Sequence, residues 1–140
     1  MIAEFRKKYF FLSNFYHCTI TYKEITYSTS EAAYQAQKTL DNEERLRISK
    51  LEPELAKEEG RKLKIREDWE EVKVNEMYEI LKIKFTTNSS LAQRLLDTGN
   101  EELIEGNDWN DTFWGVYNGQ GENNLGKILM RIRKELVWPT

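Results

Sequence analysis

The sequence predicts an α+β fold: a mostly helical single domain, residues 1–140, with a small N-terminal β-hairpin. Three observations predict it. A stretch rich in β-branched and aromatic residues occurs near the N-terminus. Helix start and stop residues then recur at short intervals as far as Gly99. The segment "NLGKILMRIRKEL" at 124–136 carries apolar residues at helical spacing.

The hairpin comes first. "YHCTITYKEITY" at 16–27 sets β-branched and aromatic residues on either side of a polar Lys23-Glu24 centre, which suggests a short hairpin. Ser28, with Glu31 three residues on, matches a capping box, and a helix is expected to run from there to about Leu40. Residues 41–50 read as a second helix. Pro53 opens a third that Gly60 closes, proline and glycine taking the ends each favours. Asp68 with Glu71 repeats the capping pattern ahead of the longest helix, whose apolar face is Trp69, Val72, Met77, Ile80, Leu81 and Phe85. "SSLAQRLLDTG" is a short helix ending at Gly99, and "EELIEG" reads as a strand. Leu63, Ile65, Phe85, Leu95, Leu96, Leu125, Ile128 and Leu129 are assigned to the core.

Composition excludes several functions. Apolar residues make up 39% of the chain and aromatics 12%, enough for a packed core. The net charge is −3, from 24 acidic and 21 basic side chains, so no global field draws in a polyanion. Nucleic acid is therefore expected only as a modified substrate. A single cysteine, Cys18, cannot form an internal disulfide, and no apolar run reaches bilayer length, so a cytoplasmic location away from membranes is expected. The lone His17 adjoins Cys18 in a strand, where neighbours face opposite ways; a Cys–His dyad and a multi-histidine metal site are both excluded. No metal or other cofactor is expected, and catalysis is left to carboxylates, lysine, tyrosine or backbone groups.

Two segments attract functional readings. "NDWNDTFWGVYNGQGENN" at 107–124 is long for a loop in so small a chain. It sets Asp108 and Asp111 beside Trp109 and Trp114, with Gly115, Gly119 and Gly121 able to admit a ligand close to the backbone. That combination suits a nucleobase or sugar, although a turn pinned by two core tryptophans explains it equally well. In "SEAAYQAQK" at 30–38, Glu31 and Lys38 lie seven residues apart. On a continuous helix they would share a face about 10 Å apart, a span that accommodates a ribose. The plain alternatives are a capping glutamate and a lysine that complements a helix C-terminus.

In order, "FLSNF" at 11–15, "SEAAYQAQK" at 30–38, "EGRKLKIREDWEEVK" at 59–73, "KF" at 84–85, "LLDTG" at 95–99, "LIE" at 103–105, "DTFWG" at 111–115 and "GENNLGKILMRIR" at 121–133 resemble the NADAR family, which includes the YbiA-like N-glycosidases. The resemblance spans nearly the whole chain. It departs from the family at Ala32, where an aromatic or histidine is common, and at Tyr117, where many members have glycine. What it implies is a mostly helical α+β domain that hydrolyses the bond between a ribose-type sugar and a nitrogen base or amine. The substrate class is small ribosyl or ADP-ribosyl compounds: the ribosylamino-pyrimidine phosphates of early riboflavin synthesis, or ADP-ribosylated guanine. A noncatalytic ADP-ribose or nucleotide binding module is a further reading.

Breaking such a bond builds positive charge at C1 and leaves a nitrogen that needs a proton. Glu31 is the first candidate for the carboxylate and Asp111 the second acidic group. Lys38 is a candidate either for Schiff-base formation with an opened ribose or for binding hydroxyls or phosphate. With the family resemblance, Trp69 is read as stacking on the base, with core anchoring as its alternative. Asn14, Arg61 and Lys84 are candidates for phosphate or ribose hydroxyls. Trp114 and Gly115 belong to the loop wall, and Asn123 and Asn124 either cap the last helix or aim its amides at a phosphate.

Overall fold

The β-rich stretch forms the expected hairpin. In the computed structural model, which describes residues 1–137, strands β1 (His17–Tyr22) and β2 (Ile25–Thr29) pair antiparallel, with Ile20 opposite Tyr27 and Tyr22 opposite Ile25. Between them, Lys23 and Glu24 both take positive φ, 50° and 71°, the tight turn that usually needs glycine or asparagine. Each such residue costs roughly 1 kcal/mol. Offsetting that, the Lys23 ammonium donates to both oxygens of the buried Glu76 at 2.9 and 3.2 Å, and the Tyr22 hydroxyl donates to Glu76 at 2.6 Å.

Six helices follow: α1 (Ser30–Ala36), α2 (Asn42–Ser49), α3 (Pro53–Gly60), α4 (Trp69–Thr86), α5 (Ser89–Leu96) and α6 (Asn124–Val137), with a 3-10 helix over Lys7–Leu12 ahead of the hairpin. Helix α3 starts and stops at the proline and glycine that predicted it. The "EELIEG" segment makes only isolated bridges, Leu103 to Ile2 and Gly106 to Val116. Contacts divide the chain into two compact units, a central one of residues 14–84 and a terminal one of residues 1–13 together with 85 onward.

In the central unit, α1 packs on α3, α2 and β2. Its buried residues include Ile20, Tyr27, Ala33, Ala36, Ile48, Ala56, Met77, Ile80 and Leu81. The terminal unit buries Phe5, Phe11, Phe85, Leu91, Leu95, Leu103, Leu125, Ile128, Leu129 and Ile132, and α5 packs on α6. Phe85, Leu95, Leu125, Ile128 and Leu129 are thus the core residues expected, Leu63 and Leu96 are partly exposed, and Ile65 is 48% exposed on the segment between α3 and α4. Among the described residues no helix is long and apolar enough to cross a membrane.

Helix α1 departs from its expected bounds at both ends. Its N-cap is Thr29, whose hydroxyl accepts from the Ala32 amide at 3.1 Å, while the Ser28 hydroxyl turns away to the Leu51 carbonyl at 3.0 Å. The helix stops at Ala36 rather than near Leu40, tightening through i to i+3 bonds from the Gln37, Lys38 and Thr39 amides. One tertiary and one local bond favour that ending. Arg66 donates its amide to the Lys38 carbonyl at 2.7 Å, and the Gln37 side-chain amide donates to the Ala33 carbonyl at 3.0 Å.

Candidate active site

The shift of cap from Ser28 to Thr29 changes what Glu31 can be. A capping-box glutamate sits three residues past its cap, but Glu31 is two past Thr29, so a capping box does not explain it. Its carboxylate is 8% exposed and accepts from the Gln35 side-chain amide at 2.6 Å. Its backbone amide donates to the Asn14 carbonyl at 3.1 Å, and the Asn14 side chain accepts from the Ser30 hydroxyl at 2.7 Å. Asn14 is itself buried and holds the start of α1 in place; its amide reaches the Met77 sulfur at 3.6 Å.

Because α1 ends early, Lys38 leaves the helix before completing the second turn that would have stacked it over Glu31. The two side chains still interact. Burial pushes the Lys38 ammonium below the usual lysine range, the Glu31 carboxylate opposes that, and Arg61, Lys57 and Lys73 add to the depression. Lys38 is half-buried, and among the described residues its ammonium has no hydrogen bond or ion pair. Arg61, exposed just beyond α3, likewise has no ion pair among them. The central unit therefore brings Glu31, Lys38, Asn14 and Arg61 into one neighbourhood, with Lys57, Lys73 and Gln35 as members that sequence reasoning missed. Lys57 is one helical turn from Arg61 and Gln35 one turn from Glu31, a signal that was available in the sequence.

Gly60 shows why α3 can approach so closely. A Cβ there would lie 2.0 Å from the Gln35 side-chain oxygen, so only glycine fits. Trp69, at the head of α4, is 5% exposed and meets the Tyr34 ring at 5.3 Å between centroids and 49°. That is the core contact weighed above against base stacking. Lys84 has no solvent exposure; burial pushes its ammonium down to about 7, and the ring of Tyr16 lies 5.6 Å from it. Cys18 shares that environment, with burial raising its thiol and Lys84 lowering it.

The loop candidates belong to the terminal unit, where their polar side chains bond backbone of the loop and of residues 103–105. One Asp111 carboxylate oxygen accepts from the Phe113 and Trp114 amides at 3.0 and 2.9 Å. Asn107 brackets the same residue from both sides, through the Asp111 amide at 3.0 Å and its carbonyl at 2.9 Å. Trp114 is half-buried with its ring edge-on to Phe113 at 4.8 Å. A Cβ on Gly115 would meet the Glu105 carbonyl at 2.1 Å, so its small size serves a crossing of loop segments. Asn123 bonds the Leu103 carbonyl and the Glu105 amide at 2.9 and 3.0 Å, and Asn124 bonds the Phe113 carbonyl at 2.9 Å. The first amides of α6, those of Asn124 and Leu125, donate to the Phe113 and Trp114 carbonyls. They are not offered to a phosphate. Cavities of about 440 and 500 Å³ lie beside the N-terminal segment of this unit, the larger lined by residues between Met1 and Tyr9 other than Phe5 and the smaller also by Ile104 and by Asn107, Asp108 and Gly119 of the loop; neither is lined by Glu31, Lys38 or Asp111.

Comparison with known proteins places this arrangement. Residues 3–137 match the family model described as the NADAR domain. A riboflavin biosynthesis protein of Vibrio vulnificus (strain YJ016) is 42% identical over 132 residues, covering 90% of this chain; the chain spans 35% of that longer protein. The N-glycosidase YbiA of Shigella boydii serotype 4 (strain Sb227) is 38% identical over 129 residues, covering 89% of this chain and 80% of its own length. The NMR structure of the E. coli protein YbiA superposes with a TM-score of 0.84 at 36% identity, over 94% of this chain and 80% of that one.

Proposed function

This chain belongs to the NADAR family, and on that premise we propose that it hydrolyses the N-glycosyl bond of a phosphorylated ribosyl substrate, with Glu31 and Lys38 as its catalytic pair. One observation carries the reading: a buried carboxylate and a half-buried lysine of depressed basicity act on each other in the central unit. The names of the relatives support the reaction class, an N-glycosidase, and the riboflavin biosynthesis protein supports a ribosylamino-pyrimidine phosphate as substrate. Lys57, Arg61 and Lys73 around Lys38 supply the positive charge a sugar phosphate needs.

The chemistry follows from the two side chains. Lowered basicity gives Lys38 a larger fraction of free amine at neutral pH, the form that attacks carbon. As the C1 to nitrogen bond of the substrate lengthens, Glu31 stabilises the positive charge growing on C1. The Lys38 nitrogen bonds C1, the departing base takes up a proton that Lys38 gives off, and the sugar ring opens to a Schiff base. Water then adds at C1, the bond to Lys38 breaks, and ribose phosphate leaves with the lysine restored. The sum is one water consumed and one N-glycosyl bond cleaved.

The test is incubation with the ribosylamino-pyrimidine phosphate and, separately, with ADP-ribosylated guanosine, following free base by chromatography. Release from the first is expected, and release from the second alone reassigns the substrate to ADP-ribosylated guanine. No release from either leaves a binding module and overturns the enzyme reading. Borohydride added during turnover should trap a sugar adduct on the wild type and none on Lys38→Ala; an adduct that persists in the variant removes Lys38 from the bond-forming step.

A further inference from the structure

Gln35 stands four residues after Glu31 on α1, and its side-chain amide donates to the Glu31 carboxylate at 2.6 Å with both residues buried, 4% and 8% exposed. Its own oxygen is buried and has no hydrogen-bond partner. An orphaned buried acceptor is costly and calls for a reason. Gly60 supplies one. A Cβ on Gly60 would come within 2.0 Å of that oxygen, 2.8 Å of the amide carbon and 3.2 Å of the Gln35 Cβ, so the whole side chain lies flush on the last residue of α3. Turned over, the amide would set oxygen against carboxylate oxygen. In the observed orientation its donors face Glu31 and its oxygen is left against glycine, without a donor.

We propose that Gln35 is the positioning residue for the Glu31 carboxylate, and that Gly60 holds Gln35 in place by leaving its amide no room to turn. The proposal rests on the reading of Glu31 given above. The amide fixes one carboxylate oxygen and favours the ionised form, the form that stabilises a cationic C1. Gln35 does not touch the substrate in this scheme; it acts through Glu31. The other charges around the pair are Lys38, then Lys57 and Arg61 from α3 and its end and Lys73 from α4; on α2, Arg45 donates to the Thr39 carbonyl at 3.0 Å.

The experiment follows the Glu31 side-chain carboxyl by carbon NMR as pH is varied, in the wild type, Gln35→Ala, Gly60→Ala and the double variant, with Gln35→Met as a volume-keeping substitute should Gln35→Ala not fold. The same proteins are assayed for kcat/KM on the ribosylamino-pyrimidine phosphate across pH. Losing the amide makes the carboxylate easier to protonate, so the midpoint and the acidic limb of kcat/KM should both rise by roughly one pH unit in Gln35→Ala. Gly60→Ala should move them the same way by pushing the amide aside. In the Gln35→Ala background it should add no further shift, because the new methyl then has no amide to strike. A residue that only packs would lower stability and leave the midpoint where it was, and an unmoved midpoint in Gln35→Ala overturns the proposal. A moved midpoint together with an active Glu31→Gln overturns instead the catalytic reading of Glu31.

Discussion

Two regions of this chain are rich in polar residues, and they use them in opposite ways. The loop of residues 107–124 spends its polar side chains on backbone: Asn107, Asp111, Asn123 and Asn124 all bond backbone within the terminal unit. Around Glu31 the central unit gathers a buried carboxylate, a Gln35 oxygen without a hydrogen-bond partner and a lysine that makes no hydrogen bond or ion pair among the described residues. By composition the loop is the more suggestive region. What distinguishes a reacting group from a structural one is whether its bonding capacity is already used, which composition does not report.

The comparison can be broken most directly at Glu31. Glu31→Gln keeps the shape and a hydrogen-bonding oxygen, so it should lower kcat/KM about a thousandfold, the loss typical of a single electrostatic group, while the urea midpoint stays near that of the wild type. A variant that loses stability and keeps its rate would place Glu31 with the loop residues. Asn123→Ala tests the other side. It strips partners from the Leu103 carbonyl and the Glu105 amide, and equilibrium unfolding should register a cost of about 3 kcal/mol; a loss below about 0.5 kcal/mol would show that the loop does not depend on these bonds.

Lys84 sharpens the comparison inside the central unit, as a fully buried ammonium whose basicity burial lowers. In the unfolded chain lysine keeps its proton up to about 10.5, whereas the buried group releases it near 7. Between those values the unfolded state binds more protons, so stability should rise as pH is raised from 7 to 9, by about 2 kcal/mol in urea titrations. Lys84→Met should flatten that slope, and an equal slope in the variant would assign the effect elsewhere. The smallest effect is expected at Asp111. Asparagine retains an oxygen for the Phe113 and Trp114 amides, so Asp111→Asn should change stability by less than about 0.5 kcal/mol, whereas Asp111→Ala, losing both bonds, should cost about 1 kcal/mol by thermal melting. A large loss of stability in Asp111→Asn would mean that its charge matters to the loop.

What the sequence made legible was mostly local. Pro53 and Gly60 mark α3 because proline and glycine act on their own backbone, and the hairpin shows because a run of β-branched and aromatic residues is itself local. The end of α1 was not legible. Residues 35–40 contain neither glycine nor proline, and the bond that meets the chain there comes from the Arg66 amide, 28 positions away. The pairing of Glu31 with Lys38 was reached through a helix continuing to Leu40, yet the two side chains interact across its actual end. Spacing singled out Asp111 as an acid and did not show the Asx turn that one of its oxygens makes with the Phe113 and Trp114 amides. Gly60 was read as a helix stop, and its contact with Gln35 joins two segments that no periodicity connects.

The bond from the Arg66 amide to the Lys38 carbonyl has a use at the bench. It belongs to the main chain, as does the one from the Lys38 amide to the Gln35 carbonyl at 3.1 Å, so the backbone at position 38 is held from both sides whatever side chain it carries. Cys18 is the chain's sole native thiol and is partly screened from solvent. In a Cys18→Ser background, Lys38→Cys can therefore be alkylated with bromoethylamine to give a thialysine, an amine of lower basicity carried on unchanged scaffolding. A series of such alkylating agents grades the basicity at one fixed point in the protein, turning position 38 into a dial for the chemistry proposed there.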